Sequence, residues 1–312
     1  MARVELINFT PMPMETIWSL WDASKTDNPT RMPEWVRENV PAKEVEELFW
    51  KVIVQNIPVA EMIKFTFMLS DVSNSFREQM VRHRIGVKVG DRLGVDIIPE
   101  FNASSWWSQS MRIKDVSTFA DERGYRVPET VAADPSALGI FEAAMHAAAE
   151  AYRTLVQLGV PMEDAREVIP LGTTHRISWD LNLQAMIHIL AKRGCWILQG
   201  GIWNPIIIGM VEELSAKVHP MFRRLAYPPC IDDSGKFHDC TFKHENERRM
   251  DGRDALPPCP LYLVHHLGRD PRAHVRGGPP VFHTPMREAV LERAEEYRKL
   301  WGHDPYEWKK EG

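Results

Sequence analysis

Residues 61–84 read EMIKFTFMLSDVSNSFREQMVRHR, and this stretch decides the fold because a strand pattern changes into a helix pattern within it. Its first part is a predicted strand over residues 61–69, because Ile63, Phe65 and Phe67 occupy alternate positions. Its second part is a predicted helix over residues 76–83, whose first amide hydrogens can be accepted by Ser73 or Ser75. A strand is therefore expected to lead almost directly into a helix.

The predicted helix ends in a compact cationic triplet, Arg82-His83-Arg84. Two guanidinium groups on either side of an imidazole can bind phosphate groups or an electron-rich ring. A basic turn in contact with solvent is the alternative interpretation, since charged clusters usually lie at the surface. Other parts of the sequence are needed to distinguish a ligand-binding triplet from a solvated basic turn.

Helical spacing of apolar residues recurs along the chain and predicts helices over residues 11–23, 47–54, 137–158, 162–168, 180–192 and 289–301. Glycines and a proline predict a loop or irregular hairpin over residues 85–104. Residues 227–283 are predicted to be ordered but irregular. On the helix 180–192, Asn182 and Arg193 would share one face about 16 Å apart, unless they are unrelated surface residues.

The composition is that of an ordinary globular protein of 312 residues, 44% of them hydrophobic, which allows one large or two ordinary domains. A net charge of −5 argues against a general nucleic-acid coat. The start of the chain has no cleavable hydrophobic stretch, so we expect a cytoplasmic protein. Residues 194–211 carry no charge but are interrupted by polar residues, proline and glycine, which predicts a buried segment and no membrane helix.

The four cysteines are too few for a disulfide scaffold and fit a reducing compartment. Cysteine and histidine residues in the last third are spaced loosely enough to allow a tetrahedral zinc site, namely Cys230, His238, Cys240, His244 and Cys259. No Cys-x-x-Cys pair supports that site, so no metal is expected and these are otherwise loop residues. Cys195, close to Arg193, fits a small buried hydrophobe better than a nucleophile.

Several segments, taken in order, resemble the flavin-dependent thymidylate synthase family over residues 7–224. The family's glutamine and Arg-His-Arg are similar to Gln79 and residues 82–84, and its serine and arginine cluster is similar to residues 105–112. Residues 125–129 and 165–173 continue the resemblance in the same order. Further single positions that agree with the family are Trp179, Asn182, Met186, Arg193 and Gln199.

The chain also departs from the family pattern in ways that bear on the pocket. Residues 85–104 stand where the family has two residues, so 18 are additional. An Asn-Glu pair of the family is replaced by Trp107-Ser108, an arginine by Gln184, and an asparagine by His188. Residues 225–312 have no counterpart in the resemblance.

The resemblance implies an α+β (α/β) fold with an antiparallel sheet flanked by helices, assembled as a homotetramer with FAD at subunit interfaces. A catalytic domain would span residues 1–226, with the insertion 85–104, and residues 227–312 would be an extension ending in a helix. The implied flavin-binding residues are Ser24, Glu61, Arg82, His83, Arg84, Asn182 and His188. The implied nucleotide-binding residues are Gln79, Ser110, Arg112, Arg166 and Arg193.

The chemistry of these residue types agrees with the implied roles. Arg112, Ser110 and Gln79 can hold a 5′-phosphate through charged and hydroxyl donors. Arg193, the implied catalytic residue, would stabilise charge on the pyrimidine as C5 becomes nucleophilic. Ser110 has no base nearby in the sequence, so positioning suits it better than nucleophilic attack. Trp106 and Trp107 can stack on a ligand ring, or they can pack in the core or at an interface.

The implied activity is a flavin-dependent methyltransferase of nucleotide biosynthesis. It would transfer a one-carbon unit from methylenetetrahydrofolate to C5 of a pyrimidine nucleoside monophosphate, converting dUMP to dTMP or a variant substrate, with FAD as cofactor and NADPH as reductant. Hydroxymethylation of dUMP or of a cytidine monophosphate is an alternative. A noncatalytic nucleotide- or nucleic-acid-binding protein, and a zinc enzyme built on the C-terminal cysteines, are alternatives of other classes.

Overall fold

The structure is a computed structural model that describes residues 2–27, 29–55, 57–82, 104–109, 116–195, 197–198, 200–222, 230, 240, 242–251, 259 and 262. Several sequence predictions lie outside these residues. They are the sites His83, Arg84, Ser110, Arg112 and His238, the loop 85–103, and the helix 289–301. The division of the chain at residue 226 stays a prediction.

Four strands are interspersed among ten helices and two 3-10 turns in the described part of the chain. In chain order they are β1 (Arg3–Phe9), α1 (Pro13–Ala23), α2 (Pro33–Asn39), α3 (Ala42–Val54), a 3-10 turn (Pro58–Met62), β2 (Lys64–Ser73), α4 (Asn74–Met80), β3 (Ser104–Ser108), α5 (Glu129–Ala132), α6 (Pro135–Gln157), α7 (Met162–Ala165), a second 3-10 turn (Arg166–Val168), β4 (Thr174–Asn182), α8 (Leu183–Arg193), α9 (Gly200–Lys217) and α10 (Lys243–Met250).

The four strands form one antiparallel sheet in the order β1-β2-β4-β3. The two central strands, β2 and β4, bury alternate residues, and Phe67 of β2 lies opposite Trp179 of β4. Helices pack around the sheet, with α9 against β1 and α8 following β4. The predicted antiparallel sheet flanked by helices is confirmed.

The largest correction to the sequence predictions is at residues 180–192. Asp180 and Leu181 belong to β4, where they pair with Thr66 and Phe65 of β2, so the helix begins only at Leu183. The side chain of Asn182 ends the strand and caps the helix, because its Oδ1 accepts a hydrogen bond of 2.8 Å from the amide of Ala185. Asn182 therefore caps the start of α8 and Arg193 ends it, so the two residues lie at opposite ends of this helix.

Other elements differ from the predictions mainly at their ends. The predicted strand 61–69 is β2 shifted toward Ser73, because Glu61 and Met62 belong to the first 3-10 turn. The helix predicted over residues 76–83 is α4, and Ser73 is its cap as predicted, accepting a hydrogen bond from the amide of Phe76. The predicted helix 162–168 is α7 followed by the second 3-10 turn. The predicted helices 11–23 and 137–158 are confirmed as α1 and α6.

The main core consists of large side chains between the sheet and the helices around it. Trp179 of β4 and Trp203 of α9 are both fully buried, with ring centroids 6.2 Å apart. The indole N–H of Trp179 donates a hydrogen bond of 2.8 Å to the hydroxyl of Ser104 in β3, so the buried polar atom is satisfied. This bond also fixes the edge strand β3 to the centre of the sheet.

The outer edge of β1 is covered by side chains of α9. Glu213 Oε2 accepts a hydrogen bond of 2.6 Å from the amide of Leu6, and Lys217 Nζ donates one of 3.2 Å to the carbonyl of the same residue. The close approach requires a glycine, since a methyl group at Gly209 would lie 2.8 Å from Cβ of Val4. The helix thus occupies the place where a further strand would pair.

Helix α9 contains Pro205, which has no amide hydrogen to donate to the carbonyl of Gly201. Arg126 supplies that donor, because its Nη2 lies 2.5 Å from the carbonyl oxygen of Gly201. The segment 194–211 was predicted to be buried, and much of it forms the inner part of α9. Within the described ranges, no helix is long and apolar enough to span a membrane.

The described part of the C-terminal extension includes a helix where irregular structure was predicted. Helix α10 (Lys243–Met250) buries Asn246 and Arg249, and Cys259 and Tyr262 join the main hydrophobic core. The extension is therefore packed against the rest of the protein at these residues.

Candidate active site

The predicted nucleotide-binding residues Gln79 and Arg193 meet at the indole of Trp203. Gln79, near the end of α4, accepts a hydrogen bond of 2.7 Å at Oε1 from Trp203 Nε1. Arg193 ends α8, and its Cζ lies 4.7 Å from the centroid of the Trp203 ring. The ring of Phe76 lies 4.7 Å from that of Trp203 and holds α4 against α9. Three helices therefore contribute to one arrangement, which we call the Trp203 cluster (Gln79, Arg193 and Trp203).

The charge of Arg82 reaches this cluster. Partial burial of the guanidinium and the positive charge of Arg82 lower the pKa of Arg193 below its ordinary value. The guanidinium groups of both arginines are cations. Two cations held near each other repel, and an anionic ligand placed between them relieves that repulsion.

The orientation of Gln79 is chemically specific. Because Oε1 accepts from the buried indole, the amide nitrogen Nε2 is the end that is left to donate to a ligand. Gln79 and Arg193 are both half-buried, and Arg82 is exposed, so the cluster borders on solvent. The cluster and the neighbouring Arg82 together thus offer an amide donor and two guanidinium groups to a ligand that carries oxygen acceptors.

The described residues predicted to bind flavin lie on elements that pack together. Glu61 is exposed in the first 3-10 turn, which contacts both α1 and α8. Ser24 follows α1, is exposed, and donates its hydroxyl hydrogen to the carbonyl of Trp21 over 2.7 Å. The amide of Leu183 donates to the carbonyl of Ile63 over 2.7 Å and joins this turn to the start of α8. Ser24, Glu61 and Asn182 are thereby placed on neighbouring elements.

His188 is on α8 with its side chain exposed. Partial burial of the imidazole ring, and to a smaller extent the positive charge of Lys192, lower the pKa of His188. The imidazole is therefore neutral at pH 7, when it can both donate and accept a hydrogen bond. Asn182, by contrast, is buried, and its Oδ1 is already used as the cap of α8.

Arg166 lies in a different part of the chain from the Trp203 cluster. It belongs to the second 3-10 turn, which packs against α6 and α7. Its Nε donates a hydrogen bond of 3.0 Å to the carbonyl of Met162. A site that uses both Arg166 and Arg193 would therefore have to combine these two regions. His83, Arg84, Ser110 and Arg112 lie outside the described residues and stay predictions.

Trp203 is the residue that sequence reasoning missed. It lies in the uncharged segment 194–211, where the sequence predicts a tryptophan to be a core residue. Its hydrogen-bond partner Gln79 is 124 positions away. The only sequence feature that pointed toward Trp203 was the lack of charge in this segment. It predicted burial but did not indicate which polar residue the indole would bind. Only the folded arrangement connects the indole with Gln79 and Arg193.

Trp106 and Trp107 differ in their surroundings. Both belong to the edge strand β3, and their side chains point to opposite faces of the sheet. Trp106 packs against the main core, whereas Trp107 is 81% exposed. The choice between ligand stacking and interface packing stays open for Trp107.

Cys195 is unsuited to act as a nucleophile. Burial raises the pKa of its thiol, although hydrogen bonds from the amides of Ile197 and Leu198 oppose that effect. A neutral, buried thiol is a weak nucleophile. The three C-terminal cysteines considered for zinc, Cys230, Cys240 and Cys259, lie near Cys195 and influence one another's charge.

A pair of arginines beside an oriented amide is the kind of site that binds an anionic ligand with hydrogen-bonding oxygens. Comparison with known proteins agrees with that class of site. Residues 5–217 match the family described as thymidylate synthase complementing protein (Thy1). The chain belongs to this family, the flavin-dependent thymidylate synthases.

The relatives confirm the resemblance seen in the motifs. The flavin-dependent thymidylate synthase of Geobacter sulfurreducens is 32% identical over 197 residues, which cover 63% of this chain and 75% of that protein. That of Thermococcus onnurineus is 27% identical over 243 residues, covering 73% and 89%.

A solved structure supports the fold. It is a UMP/dUMP methylase, PolB, from Streptomyces cacaoi, bound with 5-Br dUMP. The TM-score is 0.53 at 16% identity, and the match covers 72% of this chain and 94% of that one.

Proposed function

We propose that this protein uses FAD to transfer a one-carbon unit from methylenetetrahydrofolate to C5 of a pyrimidine nucleoside monophosphate. The observation that carries the proposal is the Trp203 cluster with Arg82 beside it, found in a chain that belongs to the flavin-dependent thymidylate synthases. The relatives named above, and the methylase of similar fold, give the substrate class.

The Trp203 cluster would bind and polarise the nucleotide. Gln79 would donate from Nε2 to an oxygen of the nucleotide, while Arg193, stacked on an indole, would face the pyrimidine ring. A guanidinium beside the ring stabilises negative charge as C5 attacks the methylene carbon. A bond forms between C5 and that carbon, the bond from the carbon to the folate nitrogen breaks, and the C5 hydrogen leaves as a proton.

The polar side chains of this chain suit a cofactor that both donates and accepts hydrogen bonds. Arg82 is an exposed cation, His188 is neutral with two ring nitrogens, and Glu61 and Ser24 lie on elements that pack near α8. These residues, with Asn182, would hold FAD, which supplies the hydride that reduces the transferred carbon to a methyl group. NADPH is proposed as the source of that hydride. If water attacks the carbon instead, the product is hydroxymethylated.

Arg166 packs with α6 and α7, whereas the Trp203 cluster is formed by α4, α8 and α9, and this supports the proposal that the site is composite. If Arg166 binds the nucleotide, it reaches the cluster from another copy of the chain, as in a homotetramer. The 81% exposure of Trp107 on the edge strand β3 is consistent with a subunit contact there.

The test is product formation by the purified full-length protein. We expect protein that retains or binds FAD, and a nucleotide that gains the mass of a methyl group when incubated with dUMP, UMP, dCMP or CMP, methylenetetrahydrofolate and NADPH. Gain of a hydroxymethyl group would replace the methyl product in the proposal. Protein that binds no FAD and changes none of the four nucleotides would overturn it.

Substitution of Arg193 tests the site within that experiment. Arg193→Ala should lower kcat by roughly 10²- to 10³-fold, because it removes a charged donor needed as charge develops. The matched control is Arg37→Ala. Arg37 is an exposed arginine of helix α2 that pairs with Glu15. Full activity in Arg193→Ala with an unchanged fold would reject the assigned role.

A further inference from the structure

Two lysine ammonium groups from different parts of the chain converge on the indole of Trp21. Lys25 lies two positions after the end of α1, and its Nζ lies 5.0 Å from the centroid of the Trp21 ring. Lys51 lies in the last turn of α3, and its Nζ lies 5.5 Å from the same centroid. Both distances are within the range of a cation–π contact. We call these three residues the Trp21 site.

The two positive charges of the Trp21 site are not balanced by neighbouring acidic side chains. Asp22, the residue after Trp21, pairs with Arg31 at 3.8 Å. Glu47, one helical turn before the lysine of α3, pairs with Lys43 at 3.8 Å. Among the side chains that the structure describes, neither lysine of the site forms an ion pair with a carboxylate. Two cations that contact one ring repel each other, and an anionic ligand relieves that repulsion.

The Trp21 site is accessible to a ligand from solvent. Lys25 and Lys51 are exposed, whereas Trp21 is half-buried, so the protein holds the ring while part of it stays accessible. An indole offers a flat apolar surface, and each ammonium group is a point charge with three hydrogen-bond donors. The site therefore suits a ligand that combines a planar group with separate negative charges.

The Trp21 site adjoins two residues that are proposed to bind flavin. Ser24 directly precedes Lys25, and its hydroxyl donates a hydrogen bond of 2.7 Å to the carbonyl of Trp21. Helices α1 and α3 pack against each other, and both contact the first 3-10 turn, which contains Glu61. A ligand in the Trp21 site would therefore be a neighbour of the flavin.

We propose that the Trp21 site binds the p-aminobenzoyl-glutamate part of methylenetetrahydrofolate, an inference that rests on the proposed function. The methylene carbon of this donor has to reach the flavin and the pyrimidine, so the remainder of the molecule extends away from them. That remainder is a planar benzoyl ring followed by one or more glutamates, each of which adds a carboxylate. The ring would pack on Trp21, while Lys25 and Lys51 would bind carboxylates. Separate single charges suit two lysines, whereas a phosphate is better matched by the fork of an arginine.

The first test compares methylenetetrahydrofolate that carries one glutamate with the form that carries three. Calorimetric titration of the purified full-length protein, supplemented with FAD but not with nucleotide or NADPH, gives Kd for each form without turnover. We expect the triglutamate to bind about fivefold to tenfold more tightly, because it offers more carboxylates to the two lysines. The difference should shrink as the salt concentration rises. Equal affinity for the two forms, or no binding of either, would overturn the inference.

Variants locate the site through the ratio of the two Kd values, which a loss of stability alone would not change. Lys25→Met and Lys51→Met should each lower the preference for the triglutamate by about threefold, whereas exchange of either lysine for arginine should preserve it. Trp21→Leu should weaken binding of both forms alike, because it removes the ring surface. The matched control is Lys43→Met, which alters another exposed lysine of α3 and should leave both Kd values unchanged.

The outcomes separate this inference from the proposed function. Formation of the methylated nucleotide with no effect of the lysine variants on folate binding would overturn the inference and leave the proposed function intact. Folate binding that depends on the lysines, in a protein that forms no product, would uphold the site and overturn the proposed reaction. If the variants weaken binding of NADPH and not of the folate, the lysines bind phosphates of the reductant and the inference is wrong.

Discussion

At the scale of single residues, the side chain of Gln79 is set by its contact with Trp203. A free glutamine amide can turn either end toward a ligand, but here the buried indole N–H selects Oε1. The specificity of the candidate site therefore depends on a residue that need not touch the nucleotide. Trp203 is a positioning residue in this interpretation.

Trp203→Phe is expected to raise KM for the nucleotide by about threefold to tenfold, with a smaller effect on kcat, because one hydrogen bond that orients Gln79 is lost. Steady-state kinetics and calorimetric binding of the nucleotide measure the change. The control is Trp35→Phe, since Trp35 is 40% exposed on α2. A fall in kcat with no change in KM or affinity would contradict the positioning role.

A second residue-scale prediction concerns Glu213. Burial alone would raise the pKa of Glu213, but hydrogen bonds from Lys217 and the amide of Leu6, with the charge of Lys217, lower it overall. A carboxyl whose folded pKa is depressed stabilises the protein above its unfolded pKa of about 4.3, and this stabilisation is lost as the pH falls through the folded value.

Glu213→Gln should therefore lower the free energy of unfolding at neutral pH, and the difference from the unaltered protein should shrink below about pH 4. Urea unfolding over a series of pH values measures it. Glu47→Gln, which alters an exposed pair with Lys43, is the matched control and should change little. An equal difference at all pH values would count against the stated cause.

At the scale of elements, sequence predicted best where one periodicity runs uninterrupted. Helix α6 and strand β2 were recognisable because their apolar residues repeat regularly. The end of β4 was mistaken for helix, because Asn182 closes the strand and caps the helix with no loop between them. Pairing with β2 decides that boundary, and pairing is not visible in a local pattern.

The site was predictable to the extent that the family resemblance pointed to it. Gln79 and Arg193 were predicted to bind the nucleotide and Arg82 to bind flavin, and the folded chain brings these three residues near one another. The indole that joins Gln79 to Arg193 comes from α9, and such long-range packing leaves no mark on short sequence motifs. The same holds for Asn246 of α10, which forms hydrogen bonds with two cysteines of the C-terminal extension.

Helix α9 gives an element-scale prediction, because Arg126 replaces the hydrogen bond that Pro205 cannot make. Arg126→Ala should lower the free energy of unfolding by about 1–3 kcal/mol, since it leaves the carbonyl of Gly201 without this donor. Pro205→Ala restores an amide hydrogen at the required position. It should therefore help the Arg126→Ala protein more than the unaltered one, by about 1 kcal/mol.

Denaturant unfolding of the four proteins of this double-mutant cycle measures the coupling between positions 126 and 205. Effects that add within about 0.3–0.5 kcal/mol would show that the two residues act independently.

At the scale of the whole molecule, we expect the proposed nucleotide site to depend on assembly of several copies of the chain. Arg166 packs with α6 and α7, while Arg193 belongs to the Trp203 cluster, so each subunit would supply part of a shared site.

Mixed assemblies test this sharing. Arg166→Ala and Arg193→Ala proteins should each be nearly inactive, but unfolding and refolding them together should restore roughly a quarter of the unaltered activity, since some sites then receive both arginines. Each variant refolded alone is the control. No recovery in mixtures shown by native mass spectrometry to contain both chains would place both arginines in one subunit or remove Arg166 from the site.

The contacts of Glu213 and Lys217 with Leu6 have a consequence for how the protein behaves in storage. A strand at the border of a sheet invites addition of a strand from a neighbouring molecule, and here two helix side chains occupy its backbone groups. Protonation of the Glu213 carboxylate at low pH should weaken its hydrogen bond with the amide of Leu6 and leave this border less covered. Self-association in acid should then begin at β1, and neutral buffers should keep the protein dispersed.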